Sequence, residues 1–472
     1  MRYTKDPRTA RSLRYSLRDA VAYSIMAGGA ETYFSAFAVF LWATESQIAL
    51  LATLPLLIGS LAQLLSAWIG HKLNCRKPII VFGAALQALV LPLLVILPLV
   101  FPSYAISILL VGLTVYFGAA HLTSPQWTSL MGDLVPERRR GRFFAHRTRL
   151  ATITAFASLC IAGVILHLFD QPQEITIGFY ALLVIRDHSA TLWGFVIIFF
   201  IAFIARIVSA LLLNRMHEPY PHAASVETPR RLRWLRQPEF RPALYFSLFF
   251  ILMQSSVGVA SPFFTFYMLK VLDFTYLEFM ANTGISVLIQ FITLGYWGRI
   301  SDAMGNRVVL VSSGSLITIL PLLWLIAPNF WYLLLVQSFS GICWAGFSLS
   351  AGNILYDLIP REKRASYQAL QSVLLCAGVF LGSMLGALLI KTMPSKLDLG
   401  LFTLSLTTTI IWALVVSSLL RLLVAVYFLP HIKEKRKARY RVSATQLVFR
   451  VTRFNALMGL VYEIVTKIRK KP

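Results

Sequence analysis

The sequence predicts an all-α integral membrane protein in which twelve transmembrane helices form two pseudo-symmetric six-helix bundles. Three observations lead to this: a composition with little charge, twelve apolar runs of bilayer length, and a basic loop that recurs once in each half of the chain. Of 472 residues, 57% are hydrophobic and only 14% are charged. A water-soluble domain uses about 25% charged residues to cover its surface, so most of this surface meets lipid.

A span needs about 20 apolar residues to cross roughly 30 Å of hydrocarbon. Twelve stretches qualify: 18–43, 47–69, 78–101, 104–130, 148–169, 191–214, 242–269, 275–297, 307–327, 330–356, 366–391 and 400–429. Each is expected to be helical, because backbone polar groups in lipid must be satisfied within the segment. The resulting order is an N-terminal arm (1–17), a first bundle (18–214), a linker (215–241), a second bundle (242–430) and a basic tail (431–472). The linker carries His217-Glu218-Pro219-Tyr220-Pro221 and Arg230-Arg231, a long polar stretch between the two sets of six. Residues 170–190 contain a short apolar run, 175–185, too brief to span and expected to lie at the membrane interface.

Placing both termini in the cytoplasm puts 38 of the 44 basic residues on the inner side, as the positive-inside tendency requires. Arg206 and Arg421 fall within spans, and their side chains are expected to snorkel to the inner headgroups. The basic first 19 residues lack an apolar run ending in a cleavage site, so the first span is expected to be retained. A net charge of +24 spread between apolar runs reads as topology, not as a nucleic-acid surface. Cys75, Cys160, Cys343 and Cys376 show no metal or disulfide spacing, and the eight histidines are scattered. No Walker loop or nucleophile–base pair occurs. An enzyme, a cofactor and a resident metal are therefore not expected.

Two loops match when laid 224 residues apart: Gly132-Asp133-Leu134-Val135-Pro136-Glu137-Arg138-Arg139-Arg140-Gly141 and Tyr356-Asp357-Leu358-Ile359-Pro360-Arg361-Glu362-Lys363-Arg364-Ala365. Each follows the fourth span of its half. The loops after the second spans pair more loosely: 70–78 with 298–307. With six plus six spans, these residues resemble the major facilitator superfamily. Its signature loop matches at Gly298, Asp302, Gly305 and Arg307, whereas Asn74 stands where the first copy should carry an Asp. The resemblance covers about residues 15–430 and implies secondary transport by alternating access. It also implies an inner latch made by Gly298, Asp302, Gly305, Arg307, Asp133, Arg140, Asp357 and Arg364. In such a latch the Asp302 carboxylate would accept hydrogen bonds from a neighbouring helix N-terminus.

The resemblance places the solute path between spans 1, 4, 7 and 10. Glu31 is the one acidic residue expected deep within a span. A carboxylate there costs on the order of 2.5–3.5 kcal/mol, so it is expected to face the cavity and bind a proton, a cation or a cationic part of the solute. Tyr33, His121, Gln126, Trp127, Gln254, Phe263, Tyr267, Trp344 and Asn353 complete the candidate lining. Their mixture of aromatic faces and amides suits an amphipathic or cationic organic molecule, although aromatics at helical spacing are commonly packing. The fifth span lacks the Gly-Pro pattern of drug antiporters of the superfamily. Gly378, Gly382 and Gly386 along span 11 read as helix packing.

In the tail, Leu447, Val451, Phe454, Met458, Val461, Val465 and Ile468 recur at helical steps among basic residues, as in a helix lying on an anionic leaflet; a coiled-coil contact is the rival. The expected partners are a small solute, protons or another ion, and membrane lipids. The expected setting is a monomer in the inner membrane of a bacterium. A transporter-like receptor acting through its tail and a lysolipid translocator of the same fold are the alternatives.

Overall fold

The computed structural model describes residues 4, 6–73, 75–136, 139–170, 173–177, 180–185, 188–219, 237–360, 364–394, 396–398, 403–405, 408–432 and 434. The middle of the linker and the amphipathic stretch of the tail lie outside the described residues.

Span 1 starts earlier than its apolar content suggests. Asp6 caps it, its carboxylate accepting from the backbone N–H of Arg8 (3.2 Å) and Thr9 (2.9 Å), and Pro7 occupies the first helical position. The helix then runs Pro7–Gly29, burying Leu13 and Ser16, so most of the expected arm belongs to the first bundle. It breaks after Gly28-Gly29 into a single tight turn, Glu31–Tyr33, and resumes as Phe34–Phe40. Spans 2 to 6 are Glu45–Leu73, Lys77–Val100, Ala105–Leu134, Arg140–Phe169 and His188–Asn214.

Span 7 repeats the broken pattern. Its helix Arg241–Gly258 gives way before Pro262, whose ring removes a donor, and continues as Phe263–Phe266 and a wide turn Tyr267–Val271. Spans 1 and 7 also both finish in the left-handed region, at Trp42 (φ 63°) and Asp273 (φ 51°). Spans 8 to 12 are Tyr276–Met304, Asn306–Ile317 with Leu320–Leu323, Phe330–Leu358, Arg364–Thr392 and Ile410–Phe428. Among the described residues, eleven helices are long and apolar enough to cross a bilayer. Span 1 falls short by that measure because its first turns carry Arg8, Arg11, Arg14, Arg18 and Asp19 and its apolar end is a separate piece.

The segment expected at the interface, 175–185, lies in an antiparallel β-hairpin, Gln173–Ile177 paired with Tyr180–Ile185, in which neighbouring strands satisfy each other's backbone groups. Span 12 begins at Ile410, not 400, because Lys396–Asp398 and Thr403–Ser405 form a second hairpin ahead of it. Both hairpins lie on the face opposite the linker; the two ends of the molecule are called here the hairpin face and the linker face.

The pseudo-symmetry is visible in which helices touch. Span 1 packs on span 5, 2 on 4, 3 on 4 and 1 on 6; correspondingly 7 packs on 11, 8 on 10, 9 on 10 and 7 on 12. The bundles meet along two equivalent seams, span 2 against 11 and span 5 against 8. Close approach within each bundle is made by glycine. A Cβ on Gly28 would lie 2.1 Å from the Ala155 carbonyl oxygen, and one on Gly382 would lie 2.0 Å from that of Ser255. The Gly378, Gly382, Gly386 stripe is thus the face on which span 7 lies, with Ser255 Oγ donating to the Gly378 carbonyl at 2.6 Å.

Gly382→Val should therefore separate spans 7 and 11 and lower the melting temperature of the detergent-solubilised protein, by an overpacking cost of roughly 1–3 kcal/mol or more. Gly295→Ala, where an added methyl meets nothing within 4 Å, should leave it unchanged or raise it by up to about 1 kcal/mol. Equal melting temperatures for the two variants would contradict the packing described.

Candidate functional site

Glu31 sits in the tight turn that interrupts span 1, where the backbone no longer runs as a continuous helix. Tyr116 of span 4, fully buried, donates its hydroxyl to Glu31 Oε1 at 2.7 Å. Phe34 and Phe117 meet the Tyr116 ring edge-on at 5.3 Å each, fixing its position.

One layer closer to the linker face lies a set of charges that the sequence reading did not connect. Arg206 of span 6 is 3% exposed. Its Nη1 donates to Ser209 Oγ (2.8 Å), its Nη2 donates to Gln87 Oε1 of span 3, and its guanidinium lies over the Tyr23 ring at 5.1 Å. Ser209 in turn donates to Asp19 Oδ1 (2.7 Å), and Asp19 Oδ2 pairs with Arg147 of span 5 at 3.2 Å. Arg147 rests on the Trp127 ring at 4.3 Å. The expected snorkelling of Arg206 is overturned: its partners are on three spans of its own bundle. Asp19, buried near the start of span 1, is a second carboxylate inside the fold, so Glu31 is not alone there. Asp19 and Arg147 form an ion pair, and Arg206 is held by the neutral Ser209 and Gln87; these contacts offset the cost of burying the groups in a low dielectric.

The second bundle has no such balance. Arg421, at the position in span 12 that matches Arg206, is 3% exposed and donates from Nη1 to the Ile317 carbonyl at 3.2 Å. It too is buried where snorkelling was expected, and among the described residues no carboxylate pairs with it. Among the described residues, buried amide atoms without partners occur in both halves, Gln87 Nε2 and Gln126 Oε1 in the first and Gln254 Oε1, Gln371 Oε1 and both Oδ1 and Nδ2 of Asn282 in the second.

The other candidates divide by place. Tyr33 donates to the Leu159 carbonyl (2.9 Å) and abuts Phe279, so it ties span 1 to spans 5 and 8. Gln126 donates to the Ser66 carbonyl (2.8 Å), bridging spans 4 and 2, and His121 lies against Gly59 of span 2. Phe263 and Tyr267 are buried in the aromatic layer near the hairpin face, the latter 6.2 Å from Trp324. Trp344 meets Phe347 edge-on at 5.6 Å. Asn353 is at the linker face, its Nδ2 donating to Asn306 Oδ1 at 2.9 Å.

The linker face carries a capping device repeated in each half. Glu218, just beyond span 6, accepts from the backbone N–H of Arg76 (3.1 Å) and Lys77 (3.3 Å) at the start of span 3. Glu434, just beyond span 12, accepts from those of Asn306 (2.8 Å) and Arg307 (2.9 Å) at the start of span 9. A carboxylate at each helix N-terminus meets its exposed donors and the positive end of its dipole. In the first half Arg76, 1% exposed, adds pairs to Asp133 (2.7 Å) and Glu218 (3.1 Å) and a hydrogen bond to Ser129 (3.0 Å). In the second half Arg307 donates to the carbonyls of Ile432 (2.7 Å) and Pro430 (2.9 Å). The carboxylate over span 9 is therefore Glu434 and not Asp302, which is exposed, as is Asp357. Arg140 donates to the Gly132 carbonyl at 2.8 Å. Gly305 turns span 8 into span 9 at φ 96°, a conformation that suits glycine. Gly298 has open space around it, and the side chain of Arg364 lies outside the described residues.

Contacts between the bundles cluster toward the hairpin face: Tyr33 with Phe279 (5.9 Å), Phe195 with Tyr276 (5.7 Å), Lys270 over Trp42 (3.5 Å) and Ser383 Oγ donating to the Ala49 carbonyl (3.3 Å). Further along the seam between spans 5 and 8, an apolar gap of about 100 Å³ opens among Thr152, Ile153, Phe156, Val287, Leu288 and Phe291. The hairpin face is closed.

Comparison with known proteins agrees with this architecture. The family model described as Major Facilitator Superfamily matches residues 20–277 and again 244–466. Over 106 residues the chain is 29% identical to the multidrug resistance protein MdtG of Salmonella choleraesuis (strain SC-B67), a stretch that covers 22% of this chain and only about a quarter, 26%, of that relative. A bacterial homologue of the iron transporter ferroportin in an inward-facing state superposes with a TM-score of 0.64 at 16% identity, over 89% of this chain and 98% of that one. A bacterial homologue of the human lysosomal transporter Spinster, inward-facing and occupied, superposes with a TM-score of 0.65 at 13% identity, over 92% and 100%. At these identities the likeness is one of fold.

Arg76→Ala should be among the most destabilising single changes on the linker face, because it strands Glu218 and Asp133. Removing one partner of a buried pair costs about 3–5 kcal/mol, and the 39% exposure of Asp133 puts the loss toward the lower end. In a thermal double-mutant cycle, Arg76→Ala and Glu218→Gln together should cost less than the sum of the two alone. Strict additivity would refute the coupling.

Proposed function

The chain belongs to the major facilitator superfamily, a family of transporters and not of enzymes, and on that premise we propose that it moves a small amphipathic organic solute by alternating access, coupled to protons at Glu31. The observation that carries this reading is the Glu31–Tyr116 hydrogen bond at the break in span 1. It joins spans 1 and 4, both of which the superfamily uses to line its path. Among the described residues, Glu31 has no guanidinium within hydrogen-bonding distance, whereas Asp19 has Arg147. Of the two buried carboxylates, Glu31 is therefore the one whose proton can be exchanged without dismantling an ion pair.

The unpartnered amides of Gln254, Asn282 and Gln371 support a solute that brings hydrogen-bonding groups to the second bundle, because buried amides left unpaired cost about 1–3 kcal/mol each. The partly exposed rings of Phe117, Phe250 and Trp344 supply apolar faces. The name of the MdtG relative is consistent with an amphipathic cargo. The basic loops support a linker face turned to the cytoplasm of a bacterial cell, and with that orientation a state closed at the hairpin face is inward-facing.

In proteoliposomes, a panel of amphipathic amines and neutral aromatics should include solutes whose uptake rises when a proton gradient is imposed. Glu31→Gln should reduce gradient-driven uptake at least tenfold while retaining exchange of solute for solute, since exchange needs no net proton movement. Wild-type response to the gradient in Glu31→Gln would defeat the assignment.

A further inference from the structure

A groove of about 560 Å³ runs between spans 9 and 12, away from both seams where the bundles meet. Its walls are Val308 and Val311 on one side and Leu422, Val426 and Leu429 on the other, with Leu422 and Val426 substantially exposed on the surface that faces lipid. Arg307 and Pro430 form its mouth at the linker face, and Thr318 closes it where the regular helix of span 9 ends. From Arg307 to Thr318, and from Pro430 back to Leu422, the helical rise gives a depth of about 12–16 Å. That is close to one leaflet, half of a hydrocarbon layer of roughly 30 Å.

Charge is concentrated at one end only. Arg307 is exposed, and its guanidinium is held in place by Nε donating to the Ile432 carbonyl and Nη2 donating to the Pro430 carbonyl. Nη1 has no hydrogen bond among the described residues. In sequence Pro430 is soon followed by Lys433-Glu434-Lys435-Arg436-Lys437, four basic residues in five, and the Glu434 carboxylate is already engaged by the backbone N–H groups of Asn306 and Arg307. A groove one leaflet deep, mostly apolar between its mouth and Thr318 with Ser315 as the one polar side chain on the way, and cationic at the headgroup level, matches a molecule with one long hydrocarbon chain beneath an anionic head.

We propose that this groove is a site for an anionic phospholipid of the linker-face leaflet, with one acyl chain between spans 9 and 12 and its phosphate on Arg307. The site is independent of the solute path and of the function proposed above. It gives Arg307 a second partner beside the carbonyls that link span 9 to the end of span 12. Bound lipid would thus hold these two helices at a fixed spacing.

Native mass spectrometry of the full chain, exchanged into micelles doped with phosphatidylglycerol or phosphatidylcholine, tests this. The wild type should retain one phosphatidylglycerol at least fivefold more than phosphatidylcholine. Arg307→Gln should abolish that preference. Leu422→Trp, which fills the groove from its lipid-exposed wall without disturbing the core, should reduce retention of both lipids. Retention indifferent to headgroup, or unchanged in both variants, would overturn the proposal. So would a dimer of the wild type that Leu422→Trp dissociates, since a second copy of the chain would then occupy the groove.

Discussion

The constraint on which this structure depends is that charge inside a bilayer protein must be matched locally. In the first bundle Asp19, Arg147 and Arg206 are brought from spans 1, 5 and 6 into one cluster, with Gln87 and Ser209 completing the hydrogen bonds. Removing Asp19 or Arg147 would leave the other charged in a low-dielectric interior, and removing Arg206 would leave Gln87 Oε1 without its donor, so the cluster fixes how these helices are rotated against one another. Glu31 lies just beyond the cluster, in a turn that the glycines before it permit, and is held by a neutral tyrosine in place of a cation. A paired layer therefore lies beside one carboxylate that, among the described residues, takes part in no ion pair, and the proposed proton coupling rests on that difference.

The duplication has been used unevenly. Helix contacts, seams, broken first spans and carboxylate caps on spans 3 and 9 recur in both halves. The buried charges do not: among the described residues the second bundle keeps Arg421 but shows no buried acid matching Asp19 or Glu31. Two halves with the same mechanics and different chemistry are what a transporter needs if one half is to handle a coupling ion and the other to recognise a solute. The asymmetry extends to the linker face, where Arg76 forms two ion pairs while its counterpart position, Asn306, joins an amide and hydroxyl network with Asn353 and Ser301.

The helices and their pairing into halves were legible because apolar length and a repeated basic loop report directly on burial in lipid. The breaks in spans 1 and 7 were not, since a kinked apolar run has the same composition as a straight one. The hairpins were hidden for a similar reason: residues 175–185 read as an interfacial run and 400–409 as the start of span 12, and hydropathy does not register strand pairing. Arg206 was misjudged because its distance from the span end suits snorkelling equally well; what decides its place is Gln87 and Ser209, which no local pattern links to it. Glu218 and Glu434 were overlooked although a signal existed, a Glu shortly after the last span of each half. Asn353 and Tyr33 were assigned by span number alone, and the first proves to belong to the linker face and the second to the seam near the hairpin face.

The central claim is that protonation of Glu31 shifts the balance between two arrangements of the bundles. It is tested most directly by pulsed electron-spin distance measurements between labels at Thr128 and Tyr356, exposed positions toward the linker-face ends of spans 4 and 10, in a background without the four native cysteines. The account expects two distance populations whose ratio changes with pH, and expects Glu31→Gln to lock the ratio at its low-pH value at every pH. A ratio that still responds to pH in Glu31→Gln, or a single distance under all conditions, would contradict it.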